Sequence, residues 1–394
     1  PGVSLMTTNT MKVTCVILTV LLTLNFEKCT CFSIKAPQAT AATNKRSVRI
    51  ITPSNEKDST DNTITFDSAC VANPVIVPPR SDKENDKWQC YYYGNSGSWN
   101  KNHKSFLPTG SSGLAESDDG LNSWTKIAGA EKDGAILAPS DEPNTWDNVH
   151  TGVGDVIRIN NDELHMYYFG GNEEELPLLG PTSKIAGFRI RIGRAKSYDN
   201  GKSWIKDESY LLDYDESEGV FASWPRIVIP QQKDEKEEKE KEPWKMYYHS
   251  FNGQKWRVYG AESYNQGDSW TRTGLVLEGD TTNEDAFDYK GIGTRDVVPW
   301  RGGYLMIYEG VDKNSVHRLG AAFCKDSDEV SGGNAKWTKL NNGQPILEPG
   351  KDPLGTWTSL VVGTPYVVSL PDGSLRIYYC ATENEDDKMC IGVV

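Results

Sequence analysis

Apolar residues in this chain fall in short runs that alternate with polar ones, separated by clusters of Gly, Asp, Asn and Ser. A period of two bounded by turn residues predicts strands rather than helices. The runs recur as units of about 65 to 80 residues, longer than most familiar repeat periods. The first strands read ANPVIV (72–77), GVGDVIRI (152–159), SWPRIVI (223–229), GTRDVV (293–298) and GTPYVVSL (363–370). The second strands end in aromatic residues: WQCYYYGN, LHMYYFGG, WKMYYHSF, YLMIYEGV and LRIYYCAT. Third strands follow as SGLAES, RIGRAKS, VYGAES, LGAAFC and CIGVV.

Three units then close on a turn leading to Trp: SDDGLNSW (117–124), SYDNGKSW (197–204) and SYNQGDSW (263–270), with a degraded copy from Asp326 to Trp337. A lone strand has no partner for its faces, but radially stacked four-stranded sheets bury both. The pattern predicts an all-β, five-bladed β-propeller over residues 63–394. Trp124, Trp204, Trp270 and Trp337 are expected between blades. The fifth unit ends after three strands, so its fourth is expected from an N-terminal strand, TITFD (63–67), which would remove an exposed edge.

Upstream, residues 1–52 read as a targeting leader. From Met11 one Lys precedes an apolar run with the shape of a signal peptide. It is too short for a comfortable membrane span. Residues 32–50 then hold four basic residues and no acid, as in a plastid transit peptide. Two destinations stay open: a plastid reached through a bipartite leader, or secretion. Residues 53–62 are a polar linker. The run QQKDEKEEKEKEP (231–243) reads as a solvated loop inside unit three.

The net charge of −13 argues against nucleic-acid binding through phosphates and is compatible with neutral sugars. Eight cysteines include three in the leader. The other five have no zinc-ligand spacing and read as buried thiols, with one disulfide as the alternative. No metal or cofactor motif is found, nor a phosphate-binding loop or nucleophile elbow. A monomer is expected.

Polar groups starting the innermost strands would face one shared channel. Asp155 (GVGDV) and Asp296 (GTRDVV) hold the same place in their units, with Arg226 and Tyr366 at the corresponding places in units three and five. Either the acids pair with Arg226 and Arg295 as a structural network, or they form an acid/base or ligand-binding set. His150 and Glu218 are further catalytic candidates, and Glu309 a weaker one. His249 is expected to be packed. Trp146, Trp224 and Trp357 precede or enter first strands and are candidate sugar platforms, or else close blade ends. Asp147 and Asn148 could bond sugar hydroxyls.

The five units and their S-x-D-x-G-x-x-W endings resemble the arabinanase, xylosidase, invertase and levansucrase propellers over about residues 63–394. The resemblance implies a glycoside hydrolase with two carboxyl groups. In those families a base or nucleophile Asp from the first blade falls here on Asn73, a supporting Asp from the second on Asp155, and an acid Glu from the third on Ser223. Asn is no base and Ser no comparable acid, so only the supporting position is kept. Sialidases share the turn, but have six blades and an Arg-Ile-Pro motif near the start rather than mid-chain as in WPRIVIP (224–230). Two functions follow from the sequence: catalysis at a glycosidic bond in the central funnel, or glycan or protein binding without catalysis.

Overall fold

The computed structural model describes residues 47–54, 64–97, 110–177, 184–230, 242–325, 336–383 and 388–394. Most of the leader, most of the linker and the charged run at 231–241 lie outside the described residues. The strands, numbered in chain order, form five antiparallel four-stranded blades; three are separate sheets, and the third and fourth are joined by one parallel bridge between Trp256 and Gly291. Blade one is β2 (Cys70–Val77), β3 (Trp88–Asn95), β4 (Gly110–Ser117) and β5 (Thr125–Ile127). Blade two is β6 (His150–Arg158), β7 (Leu164–Gly171), β8 (Ile190–Ser197) and β9 (Ile205–Lys206). Blade three is β10 (Ser223–Val228), β11 (Trp244–Phe251), β12 (Trp256–Ser263) and β13 (Thr271–Glu278). Blade four is β14 (Gly291–Pro299), β15 (Gly303–Val311), β16 (His317–Lys325) and β17 (Thr338–Lys339). Blade five takes β18 (Val361–Ser369), β19 (Leu375–Thr382) and β20 (Cys390–Val393) from the C-terminus, and β1 (Val48–Ile51) from the N-terminal side. The inner strands β2, β6, β10, β14 and β18 each lie against the next, and β18 against β2, so the ring is closed.

An N-terminal strand does complete the last blade, but its position corrects the sequence reading. Val48 pairs with Val393 and Ile51 with Ile391. These residues fall inside the 1–52 segment read as leader, so the folded part includes Val48–Ile51 and does not begin near residue 63. The expected closing segment does something else: Phe66 and Asp67 sit buried in the turn that enters β2. VRII follows an acid-poor basic stretch, so its local composition hides a strand only four residues long.

The Trp that precedes each fourth strand packs between blades as expected. Trp204 meets Tyr91 of blade one edge-on at 5.8 Å, and Trp270 meets Tyr167 of blade two at 6.0 Å. Trp337 does the same to Tyr247, and Trp124 to Tyr378 across the closure. Edge-to-face rings add to area burial. The turns that present Trp124, Trp204 and Trp270 are tied by their own side chains. In blade two, Asp199 accepts from the Ser197 hydroxyl and the Lys202 and Ser203 amides, and the Trp204 indole N–H donates to Gly201. The joint between blades four and five has no such contact, because Ile307 stands in blade four where the others carry Tyr. Trp204→Ala should cost about 3–5 kcal/mol by leaving an inter-blade void; urea denaturation measures it, and a loss below about 1 kcal/mol would contradict this packing.

The five cysteines among the described residues are all buried. No helix among the described residues is long and apolar enough to cross a membrane.

Candidate functional site

Every inner strand carries a β-bulge at the same level. The register slips between Ala72 and Val75, Val153 and Asp155, Ser223 and Arg226, Ile292 and Arg295, and Gly363 and Tyr366. Bulges re-aim side chains and gather beside binding sites. In three strands the bulge is an X-Pro step with left-handed backbone: Asn73 at φ 52°, Trp224 at 49° and Thr364 at 46°. Such a φ is unfavourable for bulky or β-branched residues, and strain of this kind concentrates at functional sites. A ring of five distorted steps thus surrounds the channel.

Just past the bulges lies a buried polar chamber. Asp155 accepts from the Val156 amide at 2.9 Å and from Ile227 of the next blade at 2.7 Å. Asp296 repeats this with Val297 at 2.9 Å and Val367 at 2.6 Å. Each carboxylate therefore staples its own inner strand to the following one. Arg226 sits between them, its Nε 3.6 Å from Asp296 Oδ1, its Nη2 3.4 Å from Asn73 Oδ1, and its guanidinium over the Tyr366 ring. Tyr366 donates weakly to Asp155 at 3.5 Å. Burial raises the Asp155 carboxyl to about 6, against the pull of Arg226. Asp296 is raised for the same reason. Asp155 and Asp296 are both buried, with Arg226 beside them.

Arg295 does not join this pairing. It donates to His249 Nδ1 at 2.8 Å and to the carbonyls of Trp224 and Tyr247. Since Arg only donates, His249 must be neutral there; burial and then Arg295 hold its pKa well below the ordinary value. His249 stacks on Trp224, Trp224 on Phe169 at 4.1 Å, and Phe169 on Tyr93. Trp224 is thus the middle of a buried aromatic stack, not an open platform.

A second network lies at the bulges of blades four and five. Glu309 accepts from His317, from the Thr294 hydroxyl and from the Thr364 amide. Thr364 in turn accepts from the Asn73 amide at 3.2 Å. These bonds hold Glu309 below the usual carboxylate range despite burial. Its place on a second strand made it a weak candidate from sequence, because the reach of that side chain to β18 is visible only in three dimensions.

Four other candidates belong to a structural repeat. In each of the first four blades an acid before the inner strand accepts from a Tyr of strand two and from a cation of strand four. The sets are Asp67–Tyr92–Lys126, Asp147–Tyr168–Lys206, Glu218–Tyr248–Arg272 and Asp288–Tyr308–Lys339. An aromatic residue just before the acid stacks on the same Tyr in three of these blades: Phe66, Trp146 and Phe287. Trp357 stacks likewise on Tyr379 in blade five. Glycine in strand three makes room: a Cβ at Gly193 would lie 2.5 Å from the Trp146 ring, and at Gly392 2.4 Å from that of Trp357. Asp147, Glu218, Trp146 and Trp357 are therefore blade-end fittings, a correction to their assignment at the channel. The repeated D/E, Tyr and Lys/Arg positions were the signal that could have shown this.

His150 is corrected as well. Its Nε2 donates to the Gly187 carbonyl at 2.7 Å, its ring packs on Phe169, and burial lowers its pKa to about 4. It is a neutral, packed histidine with no bond to Asp155. Ser223, at the expected acid position, is fully buried. Among the described residues no cluster of His, Cys, Asp and Glu could hold a metal ion.

No family model matches the sequence, and no curated protein does. Solved structures do match the fold. A thermostable family-43 glycoside hydrolase is 17% identical with a TM-score of 0.55, over 82% of this chain and 88% of that one. A glycosyl hydrolase from Bacteroides ovatus is 14% identical with a TM-score of 0.51, over 90% and 95%. The Bombyx mori GH32 β-fructofuranosidase BmSUC1 is 13% identical with a TM-score of 0.55, over 89% of this chain and 63% of that one. The chain shares the propeller fold of these proteins.

Proposed function

We propose that this chain is a carbohydrate-active propeller that cleaves or transfers at a glycosidic bond in its channel. The observation that carries this reading is a pair of channel carboxyl groups whose acidities are pushed apart. Asp155 is raised to about 6, and Glu309 is held below the usual range. Environments that split two carboxyls in this way assign an acid and a base. Both groups reach one stretch of β18, Asp155 through Tyr366 and Glu309 through Thr364. Asp155 would donate the proton to the leaving oxygen and Glu309 would serve as the base. Asp296 and Arg226 would position this pair, and Asn73 would orient the sugar. The glycoside hydrolases of the same fold support the substrate class.

A glycoside panel assayed from pH 4 to 9 tests this. Asp155 must be protonated to act, so the rate should fall as pH rises through about 6. Glu309 must be ionised, so the rate should fall again in acid. Asp155→Asn and Glu309→Gln should each lose on the order of 10²–10⁴-fold. Equal turnover in wild type and both variants would remove the assignment.

A second reading, glycan binding without catalysis, is favoured by Asn73 and Ser223 at positions where acids are expected. Saturable glycan binding by the wild type, with no turnover of any substrate, would select it.

A further inference from the structure

Blade five departs from the acid–Tyr–cation repeat. Thr358 stands at the acid position and donates to the Gly355 carbonyl. Tyr379 bonds instead to the Ser47 hydroxyl, at the end of the closing strand. The ion pair is gone, and beside this neutral joint lies a cavity of about 350 Å³. Arg49, Thr52, Trp357, Thr382, Glu383 and Lys388 line it. Arg49 lies 5.1 Å over the Trp357 ring and has no acidic partner among the described residues. The Trp357 indole N–H is buried with no hydrogen-bond partner among the described residues, a costly state for a donor. Phe66 and Phe287 do the same stacking in blades one and four without an N–H. Packing alone does not call for an indole here.

The lining is therefore rich in donors. Arg49, Lys388 and the indole offer N–H groups, Thr52 offers a hydroxyl, and Glu383 is the one carboxylate among the described lining residues. Lys388 spends one N–H on the Ser68 carbonyl and keeps two. Such a site accepts a ligand with clustered acceptors and a few hydroxyls, and its volume is at the small end of ligand pockets. We propose that blade five carries a second ligand site, away from the channel, that binds a small hydroxylated carboxylate of the sugar-acid class. The carboxylate would take the Arg49 fork and Lys388, the indole N–H would meet a ring or hydroxyl oxygen, and Glu383 would accept from a hydroxyl. Because β1 supplies Arg49, only the closed ring has the site, and a ligand would stabilise closure by mass action.

The full chain is titrated with D-galacturonate, with galactose and with acetate at constant ionic strength, followed by calorimetry and by the thermal midpoint. Galacturonate should bind saturably and raise the midpoint, at least about tenfold tighter than galactose or acetate. Trp357→Phe should keep the unliganded midpoint, as the sibling blades tolerate Phe, and weaken binding about tenfold. Arg49→Gln should weaken it at least as much. Binding of galactose or acetate as tight as galacturonate overturns the proposed class. No binding at all, or variants that bind like wild type, overturns the site. Glycoside turnover should be the same in both variants, so failure here leaves the channel reading untouched.

Discussion

Arg226→Met should destabilise the propeller by about 3–5 kcal/mol at neutral pH, the usual result of stripping one partner from a buried charge network. Arg226 is 1% exposed, and its guanidinium is the cation that offsets Asp296 and Asp155. Without it two carboxylates share one dry hollow, and each resists ionising more strongly. The sign of the pH dependence follows. A carboxyl whose folded pKa is raised above its unfolded value contributes stability at low pH and loses it as pH rises through the folded value. The deficit should therefore shrink toward pH 5 and grow toward pH 8. Arg226→Met with Asp296→Asn should recover part of the loss, since one buried charge is removed with its partner. Urea titrations at pH 5 and 7.5 measure all three; a deficit that is flat with pH would show that the network does not work this way.

A chain beginning at residue 53 should lose about 4 kcal/mol or more against one beginning at residue 47. The shorter form gives up the Val48–Val393 and Ile51–Ile391 pairing, the Ser47–Tyr379 bond and the buried Ile51 side chain. Burial of one isoleucine is worth about 1.5–3 kcal/mol, and each backbone bond about 1 kcal/mol. It also bares the edge of β20, an invitation to pair with another molecule. Melting midpoints and light scattering compare the two forms. Matching midpoints would mean that β1 is an ornament, not a fourth strand.

The repeats made the fold legible because a propeller writes the same pattern five times. Strand alternation, the aromatic second strands and the Trp turns each recur at a fixed place, and every inner strand lies where its sequence run does. The site was less legible for the same reason. Asp147 and Glu218 were read against the channel, whereas Asp67 and Asp288, their equivalents, were not weighed; seen together with Tyr92, Tyr168, Tyr248 and Tyr308, all four acids are fittings of the blade end. Asp155 and Asp296 stand out in the sequence, because two carboxyls at the same place on inner strands demand a reason. What sequence does not give is which backbone amides such groups accept from. Both bond across to the next blade, at Ile227 and Val367, and no local pattern marks those partners. Glu309 was undervalued because its reach to Thr364 depends on the bulge in β18.

The seam in blade five sets an order of events. Of these strands β1 is made first, yet β20, its partner, follows only after the four other blades. At typical synthesis rates that wait is tens of seconds. During it β1 has nothing to pair with, and the ring stays a string of blades with one end loose. For that interval β1 is open to other contacts, until β20 captures it.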